Sequence, residues 1–553
     1  MQIVTPSAEK FHGSRETPLR SFSIFHIEKL PSLSPAMKRY LPIFLALSLL
    51  IPKQLLAELK IPAIIADHMV LQQKQANPIW GWDAPGTEVT VTFGDQVKKA
   101  KAGNDGKWTV KLDPVDANAD PATLKIDGSS SRVIKDVLVG EVWMCSGQSN
   151  MGWTVMGDWK WQVESLASNH PNLRLITVPR VGTQELQNDF KGEWKAATPE
   201  TVKTFSAVGF YYGRYLHEIL GVPVGLINNA WGGSAAEAWV KRESIDGDER
   251  FNTLTESWKN REAQLQSAEY KAKYETALAA WKTKVEEAKA AGKPLPRRPT
   301  SPEGMLGGNS RPGNIFAGMV HPTIGYGMKG VIWYQGESNA SRAYEYGHLF
   351  PFMIEQWRKE WGQGDFPFYW VQLADFRAEV DEPGESQWAE LRESQTKTLS
   401  LPSTGQAVII DIGEGNDIHP KNKYDVAARL VRWALEKDYG IPNIVAQSPT
   451  YREMSIVGNK VTLHFDHVSG GLRTVDTSEV EGFAICGEDK KWVWADAKIT
   501  GKDTVEVWSD AIAAPIAVRY AWAENPVCNV FSKDGLPMTP FRTDDFPMTT
   551  GPK

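Results

Sequence analysis

Four polar segments of this chain follow apolar, strand-like runs and contain residue types that could perform acyl transfer. They are Gly147-Gln148-Ser149-Asn150, Trp231-Gly232-Gly233-Ser234, Gln335-Gly336-Glu337-Ser338-Asn339 and the stretch from Asp411 to Pro420. Acyl transfer needs a nucleophile, a base to take its proton, a group that orients the base, and donors for the oxyanion. Serine, histidine and glycine residues of these segments could fill those roles.

Two of these segments offer a serine in the same local pattern. Ser149 and Ser338 both lie in Gly-x-Ser-Asn turns that follow a buried strand. Taken alone, either turn is explained by a serine whose hydroxyl satisfies the backbone. Glu337 places a carboxylate next to Ser338, which disfavours negative charge there. The residues therefore favour Ser149 as the nucleophile.

The candidate base is His419, one of 10 histidines, in a polar loop just before a predicted helix. A histidine in such a loop is often only an exposed or capping residue. Because Asp417 lies two positions before it and serine turns are available elsewhere, we interpret His419 as a general base.

From residue 138 onward, strands and helices alternate, which predicts an α/β domain with a parallel sheet and helices on both faces. The predicted strands are 139–146, 173–178, 224–228, 330–334, 368–373 and 407–411, and the predicted helices are 205–219, 342–361, 387–399 and 422–438. Ligands of such sheets bind at the carboxyl ends of the strands. The four polar segments are expected at that edge.

Two β-rich units flank this domain. Short alternating strands between turn signals predict an N-terminal β-sandwich over residues 58–137, and a β-rich domain is predicted over 441–553. The catalytic domain, 138–440, contains an amphipathic helical insertion at about 245–300. Its charged side is most simply a solvated face, with a lid or an oligomer contact as the alternatives.

Residues 1–57 predict a targeting segment. Lys38 and Arg39 precede a largely apolar segment of 11 residues, 41–51, which is too short to span a bilayer. We interpret Met37 as the true start, 1–36 as an upstream extension, and cleavage as occurring after Ala57. The mature protein is then secreted or periplasmic, with no membrane span.

Composition limits the classes of partner. With 61 basic and 67 acidic residues, the net charge of -6 gives no electrostatic case for nucleic acid or an anionic membrane. The 22 tryptophans suit sugar binding, although core packing explains most of them. Three cysteines exclude a disulfide framework and leave only a Cys486–Cys528 bridge possible. No His-x₃-His or Cys-x₂-Cys spacing occurs, so neither a metal nor another cofactor is expected.

Taken together, several motifs resemble the sialate O-acetylesterase family, whose members are relatives of the flavodoxin-like SGNH hydrolases. The motifs are Gly147-Gln-Ser-Asn-Met151, Trp231-Gly-Gly-Ser234 leading to Ala238-Trp239, Trp333-Tyr-Gln-Gly-Glu-Ser-Asn339 and Asn416-Asp-Ile-His-Pro420. His68-Met-Val-Leu-Gln72, Trp80-Gly-Trp82 and Pro540-Phe-Arg-Thr-Asp544 extend the resemblance to nearly everything after residue 58.

The resemblance implies roles for individual residues. Ser149 would be the nucleophile, His419 the general base, and Gly232 an oxyanion N–H donor. Gln335 would be a side-chain donor at the oxyanion, and Glu337 would belong to the same oxyanion and substrate-binding group.

The chain departs from the family's pattern at the acid. SGNH hydrolases have Asp-x-x-His, but the residue three before His419 is Asn416, and Asp417 lies two before it. Either Asp417 orients the imidazole, or a backbone carbonyl does.

The implied function is hydrolysis of acetyl esters on an O-acetylated sugar, with sialic acid as the first candidate. The alternative enzymatic function is that of an acetylxylan esterase or another polysaccharide acetylesterase with the same catalytic groups. A third interpretation is a secreted carbohydrate-binding protein without catalysis.

Overall fold

A computed structural model describes residues 58–552, and the predicted targeting segment lies outside the described residues. From Ala57 onward the chain forms one unit. Thirteen strands precede the C-terminal region. They are β1 (Val70–Gln72), β2 (Asn77–Trp82), β3 (Glu88–Phe93), β4 (Gln96–Lys101), β5 (Lys107–Leu112), β6 (Asn118–Asp127), β7 (Ser131–Gly147), β8 (His170–Thr177), β9 (Lys195–Ala197), β10 (Val224–Ala230), β11 (Gly330–Tyr334), β12 (Phe368–Val371) and β13 (Thr404–Ala407).

The central sheet has the order β13-β12-β11-β7-β10-β8-β9. All neighbours in it are parallel except the edge strand β9, which is antiparallel to β8. The predicted α/β class with a parallel sheet is therefore present, in a mixed sheet. In chain order the six parallel strands are arranged 2-3-1-4-5-6, whereas a flavodoxin-like sheet has 2-1-3-4-5. Without β8, which pairs outside β10, the remaining five parallel strands have the order 2-1-3-4-5. The sheet thus has the strand order of a flavodoxin-like sheet with one additional parallel strand, β8.

Strand β7 connects the N-terminal β unit to this sheet. Its first part pairs with β6 and β1, and its last part lies between β10 and β11. The predicted domain boundary at residue 138 falls inside this strand. Along it, Val142 and Met144 pack in one core, while Trp143 and Cys145 pack in the other. A strand that is apolar on both faces produces this alternation.

Eleven α-helices are described between residues 58 and 552. They are α1 (Ser149–Gly152), α2 (Trp161–Leu166), α3 (Pro199–Val202), α4 (Ala207–Leu220), α5 (Arg242–Asp246), α6 (Asn252–Gln266), α7 (Ala268–Ala290), α8 (Pro302–Leu306), α9 (Ala343–Trp361), α10 (Gln387–Lys397) and α11 (Lys423–Trp433). Residues of α4 and α11 pack in the core with Trp143, and residues of α9 and α10 pack in the core with Val142. Helices therefore cover both faces of the sheet.

The predicted insertion consists of α6, α7 and a connector that returns along α7. The indole N–H of Trp281, on the half-buried side of α7, donates to the Pro296 carbonyl at 2.9 Å. The apolar stripe of α7 is thus partly covered by its own connector. Among residues 58–552, no helix is long and apolar enough to cross a membrane.

The C-terminal region is β-rich, as predicted. Its strands are β14 (Thr450–Val457), β15 (Lys460–Asp466), β16 (Leu472–Thr474), β17 (Phe483–Cys486), β18 (Trp492–Trp494), β19 (Asp496–Ile499), β20 (Thr504–Trp508), β21 (Ala517–Tyr520), β22 (Val530–Ser532) and β23 (Phe541–Arg542). They form two four-stranded sheets and one two-stranded sheet. Cys486 and Cys528 are free thiols, so the bridge considered from the sequence is not formed.

Candidate active site

The turn after β7 can be formed only with glycine at its first position. Gly147 has a φ of +135°, and a Cβ there would lie 2.3 Å from the Tyr334 carbonyl oxygen. The next N–H, of Gln148, donates to that same oxygen at 2.9 Å. Ser149 then begins α1 and is only partly buried. In the sheet, β7 lies between β10 and β11, which are the third and fourth parallel strands in chain order. Ser149 therefore lies at a topological switch point, where such folds bind ligands.

Gly232 lies directly against Ser149. A Cβ built on Gly232 would lie 3.3 Å from the Ser149 Cβ, and Asn309 Nδ2 fixes the Gly232 carbonyl at 2.6 Å. Within residues 58–552 the Gly232 N–H donates to no protein acceptor, and the Ser149 hydroxyl has no hydrogen-bond partner. The candidate nucleophile and an unused backbone donor are thus adjacent, which is the arrangement that an oxyanion site requires.

The His419 loop is bound to the serine turn by two contacts. Asn150 Nδ2 donates to the Ile418 carbonyl at 3.0 Å. The His419 ring stacks on Trp153, with 5.2 Å between centroids and 16° between planes. No hydrogen bond joins His419 to Ser149 in the described chain, and such bonds are commonly looser without substrate.

Asp417 contacts His419 mainly through the backbone. Its Oδ1 accepts the His419 N–H at 2.9 Å, whereas the distance from His419 Nδ1 to Asp417 Oδ1 is 3.6 Å, beyond hydrogen-bond reach. Lys421 Nζ lies 3.1 Å from Asp417 Oδ2. The His419 N–H and Lys421 lower the pKa of Asp417. Burial and the nearby Lys423 cation lower the pKa of His419, against the raising effect of Asp417.

A buried cluster of Asn150, Glu337 and Lys423 lies behind these loops. Lys423 Nζ donates to Asn150 Oδ1 at 2.6 Å, and Asn150 Nδ2 donates to Glu337 Oε1 at 2.6 Å. Glu337 Oε2 is buried and has no hydrogen-bond partner among the described residues. Glu337 thus contacts Asn150, the residue next to the candidate nucleophile, and its predicted role at the oxyanion stays a prediction.

Sequence reasoning missed Lys423, although a signal was present. Lys423 lies three, four and seven positions before Val426, Ala427 and Leu430, all of which are buried. It therefore occupies the apolar stripe of α11. A charged residue in a buried stripe is a functional candidate because burial of an unpaired charge is costly.

Gln335 and Ser338 are positioned differently from Ser149. Gln335 is fully buried, and its amide nitrogen donates to the Ser234 carbonyl at 3.1 Å and to Asn339 Oδ1 at 2.7 Å. Both amide hydrogens are thereby used in this conformation, and the predicted role of Gln335 at the oxyanion stays a prediction. Ser338 lines a separate cavity with Glu237 and Arg342.

A cavity of about 530 Å³ begins at Gly232 and extends under the helical insertion. Its wall includes the partly buried indoles of Trp231 and Trp258 and the guanidinium groups of Arg261 and Arg297. Neither arginine forms an ion pair within the described residues. Aromatic faces and unpaired cations suit a sugar that carries negative charge.

No three His, Cys, Asp or Glu side chains between residues 58 and 552 are arranged to hold a metal ion.

Comparison with known proteins gives a consistent set of relatives. Residues 317–423 match the family model described as carbohydrate esterase, sialic acid-specific acetylesterase. Sialate O-acetylesterase of Homo sapiens is 27% identical over 525 residues, which is 86% of this chain and 91% of the human protein. The Mus musculus enzyme is 29% identical over 527 residues, 86% of this chain and 93% of the mouse protein. The crystal structure of a carbohydrate acetylesterase from Xanthomonas citri is 38% identical, has a TM-score of 0.74, and covers 88% of this chain and 100% of its own.

Proposed function

This chain belongs to the sialate O-acetylesterase family of carbohydrate esterases, and we propose that it removes acetyl groups from O-acetylated sugars with Ser149 as nucleophile. The observation that carries the proposal is the meeting of Ser149, the unused N–H of Gly232 and the His419 loop at one strand end. The identity of the relatives supports the reaction class.

In the proposed mechanism, the Ser149 hydroxyl attacks the acetyl carbonyl carbon while His419 takes its proton. The N–H groups of Ser149 and Gly232 stabilise the tetrahedral oxyanion. The Ser149 N–H is available because the first donors of a helix have no intrahelical acceptor. The C–O bond to the sugar then breaks, and the sugar oxygen takes the proton from His419. Water, deprotonated by the same histidine, attacks the acetyl-enzyme. The bond between the acetyl carbon and Ser149 Oγ then breaks, Oγ takes the proton from His419, and acetate is released.

Asp417 is proposed as the residue that orients His419. Its carboxylate receives the His419 backbone N–H and lies 3.6 Å from Nδ1, so a small rotation of the ring would form the hydrogen bond. A carboxylate at this position favours the imidazolium that forms during attack.

The proposed sugar is a sialic acid. Arg261 and Arg297 face the cavity beside Gly232 without a carboxylate partner in the described chain, and a guanidinium binds a sugar carboxylate by charge-assisted hydrogen bonds. Acetylated xylan has no carboxylate on its acetylated backbone sugar and would leave both cations unpaired.

The test compares acetate release from O-acetylated sialic acid, acetylated xylan and 4-nitrophenyl acetate. We expect release from the sialic acid, and a loss of about 10⁴-fold or more in kcat for Ser149→Ala. If Ser338→Ala abolishes release while Ser149→Ala does not, the assignment of the nucleophile is wrong. If the wild type binds sugars but hydrolyses none of the three esters, the protein is a carbohydrate-binding protein.

We also propose that the protein is exported after cleavage behind Ala57. The apolar segment 41–51 between a basic stretch and Ala57 supports this proposal. N-terminal sequencing of the native protein tests it, and a mature protein that begins at residue 1 would contradict it.

A further inference from the structure

A second cavity adjoins the one beside Gly232 and has no part in the proposed mechanism. Its volume is about 430 Å³. The two cavities share Trp258 and Arg261 of α6, and Ser310. The half-buried Trp258 indole thus forms a common wall, and a molecule longer than one sugar could extend from Gly232 into the second cavity.

Hydroxyl groups dominate the rim of the second cavity. They belong to Thr253 and Ser257 on α6 and to Ser310 and Ser338 on the facing loops. Within residues 58–552, the hydroxyls of Thr253, Ser257 and Ser338 have no hydrogen-bond partner. Unused hydroxyls beside an indole face are a suitable surface for a sugar ring, which has apolar faces and hydroxyl edges.

Charges at the base of the second cavity are paired and rigidly held. Arg342 Nη2 donates to Glu237 Oε1 at 2.6 Å, and its other amino group binds Glu345. Glu237, which is 1% exposed, is held from behind by Asn339 Nδ2 at 3.0 Å. With Arg261, which also lines this cavity, two cations balance the two carboxylates, so the second cavity has no net charge. A neutral sugar matches this balance, and the Glu345 carboxylate can accept sugar hydroxyls.

We propose that this second cavity is a subsite for a neutral sugar residue linked to the acetylated one. The preferred substrate is then a glycan-linked O-acetyl sugar rather than the free monosaccharide. The inference rests on the proposed function, because it needs the acetylated sugar to lie beside Gly232. It also gives the helical insertion a role as one wall of the subsite, and Ser338 a role other than that of a nucleophile.

The test compares kcat/KM for O-acetylated sialic acid, free and linked to lactose. We expect the wild type to favour the linked substrate by about tenfold, equivalent to about 1.4 kcal/mol. Ser257→Trp fills the cavity and should reduce the ratio of linked to free substrate to about one. The matched control is Glu256→Trp, which places the same indole at the preceding position of α6, where the side chain is 68% exposed; it should keep the wild-type ratio.

A second variant covers the case in which Ser257→Trp does not fold. Glu345→Gln keeps the size of the side chain, removes one carboxylate from the cavity, and should also lower the ratio. Equal kcat/KM values for free and linked sugar in the wild type would overturn the subsite alone. If the wild type instead hydrolyses neither 4-nitrophenyl acetate nor either sugar, the proposed function itself fails.

Discussion

Lys423 places a buried amino group between the nucleophile turn and the histidine loop. Burial lowers its pKa to about 7, against the effect of Glu337. Burial also raises the pKa of Glu337. Asn150 lies between the two and holds the Ile418 carbonyl. The cluster therefore holds the Ser149 turn and the His419 loop together, and the Lys423 cation lowers the pKa of His419.

The acid limb of the pH–rate profile should lie below the ordinary histidine pKa of 6.5. In the proposed mechanism His419 must be neutral to accept the Ser149 proton, and burial and the Lys423 cation lower the pKa of His419. A lowered pKa keeps the neutral form present at more acidic pH, so kcat/KM should decline only below 6.5 as pH falls. Measuring kcat/KM for 4-nitrophenyl acetate against pH checks this, and a limb above 6.5 would contradict it.

Replacing Lys423 by methionine should move that limb to higher pH. The substitution removes the cation that lowers the pKa of His419, so the imidazole protonates more readily. The same pH series measures the shift, which a purely structural defect would not produce. The control is Lys160→Met. Lys160 is exposed, and its amino group contacts the ring of Tyr424, the residue that follows Lys423 on α11. A limb that stays in place while kcat falls would show that Lys423 only supports the fold.

At the level of secondary structure, the site depends on how β7 ends. Gly147→Ala should destabilise the protein by about 3 kcal/mol or more, because its φ is positive and its Cβ would lie 2.3 Å from the Tyr334 oxygen. Gly152→Ala in the same turn is the matched control; the nearest atom to its Cβ is 3.5 Å away. Thermal unfolding of both variants measures the difference. Equal midpoints would show that the turn can relax.

The sequence predicts the bounds of strands and helices well where the local pattern of apolar residues is sufficient to define them. The strand at residues 330–334 has the predicted bounds, and the helix predicted over 342–361 is α9 (Ala343–Trp361). The strand predicted over 407–411 is wrong, because β13 ends at Ala407, where its partner β12 ends at Val371. Residues 408–410 are buried without strand pairing. Strand order and pairing depend on long-range contacts, which periodicity does not contain.

The same limit applies to the candidate site. Ser149, Gly232 and His419 could be selected from the sequence because each follows a strand at the same sheet edge. Two other features depend on long-range contacts. The turn of Ser338 faces another cavity because α6 lies opposite it, and the Gln335 amide nitrogen is occupied because it donates to the Ser234 carbonyl. Those contacts join residues about 80 to 100 positions apart.

At the level of the whole molecule, the three predicted units are joined by buried contacts. Gln72 beside β7 accepts the Val142 N–H at 2.8 Å and donates to Glu141 at 2.9 Å. In the C-terminal region, Arg519 binds Glu385 at 3.0 Å, just before α10. The continuity of β7 and these contacts indicate that the β units stabilise the catalytic sheet.

Arg392 of α10 makes the most extensive of these links, and Arg392→Met should loosen the C-terminal region. Its buried guanidinium donates to the carbonyls of Leu373, Ala374, Ala523 and Glu524 at 2.6–2.9 Å. Methionine fills much of the volume but leaves the Leu373 and Ala523 carbonyls without a donor, so we expect a loss of about 3 kcal/mol. The Ala374 and Glu524 carbonyls keep the donors Trp388 Nε1 and the Phe376 N–H. Thermal unfolding measures this, with the exposed Arg377→Met as control. Leu373 and Ala374 follow β12 at the sheet edge where Ser149 lies. We therefore expect esterase activity to be lost in the same thermal transition as the structure of the C-terminal region. Activity that remains after the C-terminal region has unfolded would contradict this coupling.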